Sequence, residues 1–268
     1  MKVQWHKERQ SMMNVYGADH HLLVLTDTID ADIHKHLFLQ ATISLQDTFE
    51  MEVEGTLRTC GGIVLDSNVS HRLDGQGQPL LLLLMDSTST LAAGFKKQIG
   101  DRGYGVFPDE KAAAAAEFVR SFSHTVADST AYNRFLTQLL ELLGVRYVQP
   151  AMADPRVLEL IGILKEGESD DHSVRYFAGK LGLSGSRLSH LFKEHTGIPL
   201  SGYILLSKLQ KAIYLILNGM SITEAALTAG FDSPSHFAAA SKRLLGMTPR
   251  DIRKDSVFLK VSYAHETV

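Results

Sequence analysis

The sequence is poor in cysteine: Cys60 is the single thiol among 268 residues. One thiol excludes an intramolecular disulfide and any internal multi-cysteine zinc cluster, and its apolar neighbourhood reads as that of a small buried hydrophobe. Long apolar runs are lacking as well. The longest, Leu80 to Met85, falls far short of the roughly 20 residues a membrane-spanning helix needs and reads as a buried strand, so no membrane partner is expected. Residues 1–20 mix polar and charged side chains with no apolar stretch behind a basic start, so no secretion signal is read there and the cytoplasm is the expected compartment. A positive excess is missing too, the formal net charge being -3.

The distribution of charge says more than its sum. Residues 172–268 carry 12 Lys/Arg against 6 Asp/Glu, whereas residues 1–171 carry 15 against 24. An acidic module joined to a basic one suits a chain that touches phosphates at one end. A cut near residue 150 weakens the contrast to 14 against 12 and 13 against 18, so charge supports such a reading without carrying it.

Along the chain the hydrophobic period changes. Leu22 to Thr26, Phe38 to Leu45, Phe49 to Glu54, Gly62 to Leu65 and Leu80 to Met85 read as strands. Turn sequences such as Asp66-Ser67-Asn68 and Asp74-Gly75-Gln76-Gly77 separate them, which suggests a small β-sandwich or barrel. Helices then follow. Asp109 to Phe122 contains five consecutive alanines, and Asp128 to Leu143 repeats Tyr132, Phe135, Leu136, Leu139, Leu140 and Leu143 at helical spacing. That stripe serves its own domain's core, a dimer interface, or both. Gly144 to Asp154, with Pro150, reads as a linker. Beyond it helices are expected at about 155–165, 173–181, 184–195, 200–218, 222–229, 234–245 and 249–255. The expected class is α+β: an N-terminal β-sandwich or barrel with two or more helices over 1–145, and an all-α unit over 152–268 with two helix-turn-helix units.

The first of these runs from Val174 to His195. Val174, Phe177, Ala178 and Leu181 make an inner face, Gly182 allows a tight bend, and Ser184 suits the next helix's N-cap. Leu188, Leu191 and Phe192 then point inward, leaving Ser186, Arg187, Ser189, His190 and Lys193 to the outside. The second unit starts with the capping-box pattern Ser221-Ile222-Thr223-Glu224. It turns at Gly230-Phe231 and restarts at Pro234, with Asp232 or Ser233 as cap. Its last helix points Phe237 and Leu244 inward, while Lys242 and Arg243 supply charge. Between the units, Pro199 to Asn218 reads as a stiff amphipathic connector. Two reading helices about 34 Å apart enter successive major-groove segments on one face of a duplex. Periodicity alone fits a protein-interaction bundle equally well.

Residues Tyr176 to Arg253 resemble the C-terminal domain of the AraC/XylS family of transcriptional regulators. The matching pieces include Leu181-Gly182-Leu183-Ser184, Leu191-Phe192-Lys193, Tyr203-Ile204, Glu224-Ala225-Ala226, Gly230-Phe231-Asp232, Lys242-Arg243, Gly246 and Thr248-Pro249. The resemblance implies double-stranded DNA as partner and activation of transcription by contact with RNA polymerase; a homodimer is expected through the 128–143 helix, and no enzymatic role is expected. It implies Ser186, Ser189, His190 and Ser235, with His236, as base readers. Arg187, Lys193, Lys242 and Arg243 supply charge beside them, the last three acting mainly on phosphates. Three departures stand out. Lys208 replaces an arginine, Ala239 stands where the second reading helix has arginine, and Ser241 replaces a buried phenylalanine. The last two motivate a rival reading, a helical adaptor that has lost specific DNA binding.

The N-terminal region resembles the cupin-like effector domain of one branch of that family. His34 and His36 lie two apart, Gln40 follows, and His71 comes after the Asp66-Ser67-Asn68 turn. In an extended segment His34 and His36 share a face, so His34, His36, Gln40 and His71 are expected to line one lumen. That lumen would take a small-molecule effector or a divalent metal. Metal cupins place a glutamate where this chain has Gln40, which weakens the case for a hard cation. The set also motivates a second rival, a metal-dependent cupin enzyme with an appended helix-turn-helix domain. No nucleophilic catalytic arrangement stands out: Gly179-Lys180-Leu181-Gly182 lies inside a helical unit and is no phosphate loop.

Overall fold

The structure, a computed structural model, describes residues 13–18, 20–27, 29–122, 126, 128–149, 154–166, 173–245, 248–254 and 258–261. Most of the first 20 residues, Pro150 of the linker, and Gly246 therefore lie outside the described residues. The N-terminal half contains strands β1 (Met13–Ala18), β2 (His21–Thr26), β3 (Asp30–His34), β4 (Leu39–Ser44), β5 (Phe49–Val53), β6 (Thr56–Cys60), β7 (Gly62–Leu65), β8 (His71–Asp74) and β9 (Leu80–Met85). Helix α1 (Thr90–Lys96), strand β10 (Tyr104–Val106), and helices α2 (Asp109–Phe122) and α3 (Ser129–Leu143) complete it. The helical half comprises α4 (Pro155–Glu166), α5 (Val174–Lys180), α6 (Gly185–Thr196), α7 (Leu200–Leu217), α8 (Ile222–Thr228), α9 (Pro234–Leu245) and α10 (Pro249–Lys254). A last strand, β11 (Phe258–Val261), returns to pair in parallel with β1.

The fold is α+β. A seven-stranded sheet, ordered β10-β7-β4-β9-β2-β1-β11, faces a four-stranded sheet, ordered β3-β8-β5-β6. Strands β2, β4, β7 and β9 of the large sheet are buried on both sides, which explains why β9 is a continuous apolar run. Leu81 and Leu83 point toward α1, α2 and α3, while Leu80, Leu82 and Leu84 point into the lumen between the sheets. On β4 the same alternation puts Leu39, Ala41 and Ile43 under the helices and sends the buried Gln40, Thr42 and Ser44 the other way. The lumen therefore has an apolar wall interrupted by one polar strand face.

Five expected strands are present within a residue at either end, and so is every expected helix. Strands β1, β3, β6, β8, β10 and β11 and helix α1 had no counterpart in the sequence reading. Apart from the six-residue β1, they are short or half-exposed, as in β6 with its Thr56, Leu57 and Thr59 at the surface, so their pattern carries little apolar signal.

The structure decides between the readings of the α3 stripe. The α3 stripe is wholly consumed inside its own half: Tyr132, Phe135, Leu136, Leu139, Leu140 and Leu143 are all buried against the large sheet, α1 and α2. The breadth of the stripe reflects a groove with partners on several sides, and these leucines are not free for a dimer contact.

In the helical half the local signals behave as written. Ser184 Oγ accepts from the Arg187 amide at 3.2 Å, and Gly182 adopts a φ of +65° that only glycine tolerates well. Ser221 and Glu224 close a capping box. Ser233 caps α9 by accepting from the His236 amide at 3.1 Å, leaving the Asp232 carboxylate to the His236 ring. Among the described residues α7 is long and apolar enough to cross a membrane by composition. Its Tyr203, Ile204, Leu209, Ala212, Ile213 and Ile216 are instead the core of the helical bundle.

That core continues into the barrel lumen as one hydrophobic cluster. Gly202 of α7 sits so close to Leu37 that a methyl group at Gly202 would overlap the leucine's Cδ1. Beside this contact the buried Tyr203 hydroxyl donates to Asp86 Oδ2 at 2.8 Å, and Asp86 also accepts from the Thr88 amide and hydroxyl.

Candidate functional site

Two regions gather the side chains singled out by sequence. The first is the outer surface of α6 and α9. Ser186, Arg187, His190 and Lys193 are exposed on α6, with Ser189 half-buried beside them. On α9 Ser235, His236, Lys242 and Arg243 are exposed, and so is Ala239. Leu188, Leu191 and Phe192 anchor α6 from below, as Phe237, Ala240 and Leu244 anchor α9.

The two surfaces differ in how their polar groups are held. His190 is loosely paired with Glu194 on its own helix at 3.7 Å, and both side chains are largely exposed, so this pair contributes little. His236 is fixed more firmly: its Nδ1 lies 3.0 Å from Asp232 Oδ2 and its ring meets Phe231 edge-on. Lys208 reaches from α7 to donate to the Gly230 carbonyl at 2.6 Å, where it ties the second unit's turn to the connector. Ser241 is completely buried, so the phenylalanine-to-serine departure lies in the core and does not alter the outward face.

The second region is the lumen mouth. His34, His36 and His71 each offer a ring nitrogen, and these nitrogens lie within 4.8 Å of one another. Centroid separations are 4.3 Å for His34 and His71, 4.8 Å for His36 and His71, and 5.4 Å for His34 and His36. The expected convergence is present, but its cause is not simple alternation. Ala31 pairs with Leu73 and His34 with His71, so one extra residue bulges from β3 between them. The bulge turns Ile33 to the surface, where it is 63% exposed, and brings His34 opposite His71. The Asp66-Ser67-Asn68 turn does the rest. Asn68 N donates to the His36 carbonyl at 2.8 Å and Ser67 Oγ to the Leu37 carbonyl at 2.9 Å, which draws β8 up to His36.

Each imidazole is anchored by the same device. Nδ1 of His34 lies 2.8 Å from the Asp32 carbonyl, Nδ1 of His36 lies 3.1 Å from that of Phe38, and Nδ1 of His71 lies 3.0 Å from that of Val69. A carbonyl only accepts, so each Nδ1 carries the proton and each Nε2 is left with a lone pair. Burial lowers the His36 pKa to about 4 and the His71 pKa to about 3, the neighbouring imidazoles adding to the effect. Both rings are neutral at pH 7. His71 Nε2 is buried without a hydrogen-bond partner, a condition that costs about 1–3 kcal/mol and that calls for an explanation in a native fold. His36 Nε2 faces Gln40 Oε1 at 2.8 Å, and Gln40 Nε2 in turn donates to Thr42 Oγ1 at 2.9 Å.

Ile29, Ala31, Leu73, Leu82 and Leu84 wall the cavity, and Leu244 and Leu245 of α9 close it. The sequence reading did not reach those two as site residues. Their spacing marks only an inward face, and nothing local tells which neighbour that face meets. The Asp86–Tyr203 contact was equally hidden, because 117 positions separate its partners.

Residues 177–255 match the family model of a helix-turn-helix domain. Over 102 residues the chain is 31% identical to the transcriptional activator RhaS of Escherichia fergusonii, a match that covers 38% of this chain and 37% of RhaS. The chain thus spans little more than a third of that relative. It is 24% identical over 225 residues to LumQ of Photobacterium leiognathi, a probable transcriptional regulator, covering 81% of this chain and 89% of LumQ. The crystal structure of ToxT from Vibrio cholerae superposes with a TM-score of 0.52 at 14% identity, over 91% of this chain and 97% of ToxT. That likeness shows a shared fold.

Proposed function

We propose, from the premise that residues 177–255 form an AraC-type helix-turn-helix domain, that the chain is a sequence-specific DNA-binding regulator of transcription. The observation that carries this reading is the pair of capped, firmly seated helices α6 and α9. Both present short polar and basic side chains outward and keep their apolar faces in the bundle. Ser186, Ser189, His190, Ser235 and His236 are suited to base edges, and Arg187, Lys193, Lys242 and Arg243 to phosphates. The N-terminal half supplies the ligand response through the lumen that holds His34, His36, Gln40 and His71. By resemblance it acts as an activator that contacts RNA polymerase, and a cytoplasmic homodimer is the proposed working form. In this reading the chain binds and does not catalyse.

The adaptor reading loses its motivation from Ser241, whose side chain lies in the core. Ala239 removes one long reader and leaves the charged residues of α9 in place. Selection of bound fragments from a random duplex library with the full chain tests the proposal. The expected result is an enriched sequence whose binding weakens steeply with salt; no enrichment at low salt overturns it.

A further inference from the structure

We infer that the seam where strands β6 and β10 meet is a binding site for a small oxyanion, a phosphate or carboxylate group, held by Arg58, Arg102 and the Tyr104 hydroxyl. The site belongs to the N-terminal half and does not depend on the regulator reading.

The seam follows from the topology. Strand β6 is an edge of the four-stranded sheet and β10 an edge of the seven-stranded sheet. Arg58 on β6 stands opposite Met51 and two residues before Cys60, both of them buried in the core between the sheets. Residues opposite each other across an antiparallel pair share a face, so the half-buried Arg58 turns inward. On β10, Tyr104 stands opposite Leu65 and buries its ring in the same core. The two edges meet there, with the Arg58 guanidinium carbon 5.4 Å from the centre of the Tyr104 ring. Arg102, exposed in the turn before β10, brings a second guanidinium carbon to 5.0 Å from that centre.

Two cations therefore converge on one ring, and the described residues supply no counter-ion. Neither arginine has a carboxylate of a described residue within 4.0 Å. Asp66 is tied to this turn through its amide, which donates to the Gly103 carbonyl at 2.8 Å. Its carboxylate, however, accepts from the Ser67 amide and pairs with Lys96. Attraction to the tyrosine ring holds each guanidinium but neutralises neither charge.

The unpaired atoms point the same way. Arg58 Nε and the Tyr104 hydroxyl are both buried without a hydrogen-bond partner, and Tyr104 as a whole is only 7% exposed. Buried polar groups are nearly always paired. A bridging water would satisfy those two atoms and leave two positive charges unbalanced. An oxyanion does both, because its oxygens accept from the Nε–H, from the hydroxyl and from the guanidinium forks. The planar fork of arginine matches phosphate and carboxylate in particular. An inward charge on an edge strand also discourages pairing with another chain, but that role calls for neither Arg102 nor an unpartnered hydroxyl.

The turn that carries Arg102 is also set in advance. The Gly103 amide donates to the Gly100 carbonyl at 3.0 Å, and the Gly100 amide to the Tyr104 carbonyl at 3.3 Å. Gly103 adopts a φ of +77°, and a Cβ there would lie 2.9 Å from Val69 Cγ2. The second guanidinium thus stands on a fixed support beside the first.

The test follows the backbone amide NMR signals of the full chain as sodium phosphate is added at constant ionic strength, with glycerol phosphate and sodium acetate titrated in parallel. Saturable shifts at Arg58, Gly103 and Tyr104 that fit one site are expected, resolved from any response of α6 and α9, whose basic side chains also attract phosphate. Saturation at lower concentration by the two phosphates assigns a phosphate ligand, and by acetate a carboxylate. Arg102→Ala should weaken the binding about tenfold; Arg102 is exposed, and thermal melting checks that the variant is folded. Tyr104→Phe keeps the ring under both guanidiniums and should weaken binding about fivefold. Arg134→Ala, which removes an exposed arginine from α3, should change nothing. Folded wild-type protein with no saturable shift at these amides up to about 50 mM phosphate overturns the site. Undiminished binding in folded Arg102→Ala also overturns it, as does an equal loss in Arg134→Ala, which would mark a general response to surface charge.

Discussion

The two outward-facing helices of the helical half are built alike and placed differently. Each begins at a serine cap, Ser184 or Ser233, and each is twelve residues long. Each stands on buried leucine and phenylalanine. Helix α6 packs mainly on α4, α5 and α7, and α9 mainly on α7, α8 and α10, but α9 also ends with Leu244 and Leu245 in the wall of the histidine cavity. The contrast shows how one half of the molecule can act on the other. A helix that shares its inner face with the histidine cavity can report on that cavity.

Truncating a buried leucine on each helix should give the largest separation. Leu191→Ala and Leu245→Ala each remove a side chain that is 3% or 5% exposed, at an expected cost of about 2–5 kcal/mol in chemical denaturation. Only the second should also shift the imidazole NMR signals of His36 and His71. Equal disturbance of those signals by both variants would erase the distinction.

Base reading should follow α6 more than α9. His190→Ala is expected to lose about 1–3 kcal/mol of discrimination at one base position. Ala239→Arg should add discrimination of similar size on the α9 side, where the exposed alanine leaves room for a long side chain. Competition binding with single-base variants of the selected site measures both.

Acid should separate the halves at a smaller scale. Among the described residues the buried histidines, His21, His36 and His71, all belong to the N-terminal half. Burial, with the neighbouring His20, lowers the His21 pKa to about 3, and its Nε2 lies 2.7 Å from the Tyr132 hydroxyl. The folded pKa lies below the unfolded value of about 6.5, so on acidification the unfolded chain takes up the proton first. Stability is complete above that value and drains away as the pH falls toward 3. At pH 5 the loss from this group is about 2 kcal/mol. His21→Phe should flatten the pH dependence of urea unfolding by that amount between pH 7 and 5, in chelator; an unchanged slope would show that His21 titrates normally.

The caps give the finest comparison. Ser184→Ala and Ser233→Ala should each cost about 1 kcal/mol. The Ser233 change should also loosen the Asp232–His236 pair, visible as a change in the His236 imidazole signal with no counterpart on α6.

Much of the helical half was legible because its signals are local. Caps, glycine bends and a 3.6-residue apolar period act within a few positions of one another, and α9 was bounded to the residue from Pro234 to Leu245. The histidine site was legible as a set of residues and not as a geometry. His34 and His36 do share the lumen with His71, but through a bulge and a turn that no period-two pattern contains.

The sequence by itself determined which stretches are helix or buried strand, where the helix-turn-helix units lie, and which imidazoles are candidates to meet. Those are decided by spacing, capping and propensity, which operate along the chain. Tertiary structure alone decided that the α3 stripe is used up internally, that Tyr203 meets Asp86 across 117 positions, and that Leu244 and Leu245 close the cavity. An inward-facing leucine has the same hydrophobic drive toward any apolar partner. Which partner it finds depends on how sheets and helices assemble in space, and that is where a buried site gains its lid.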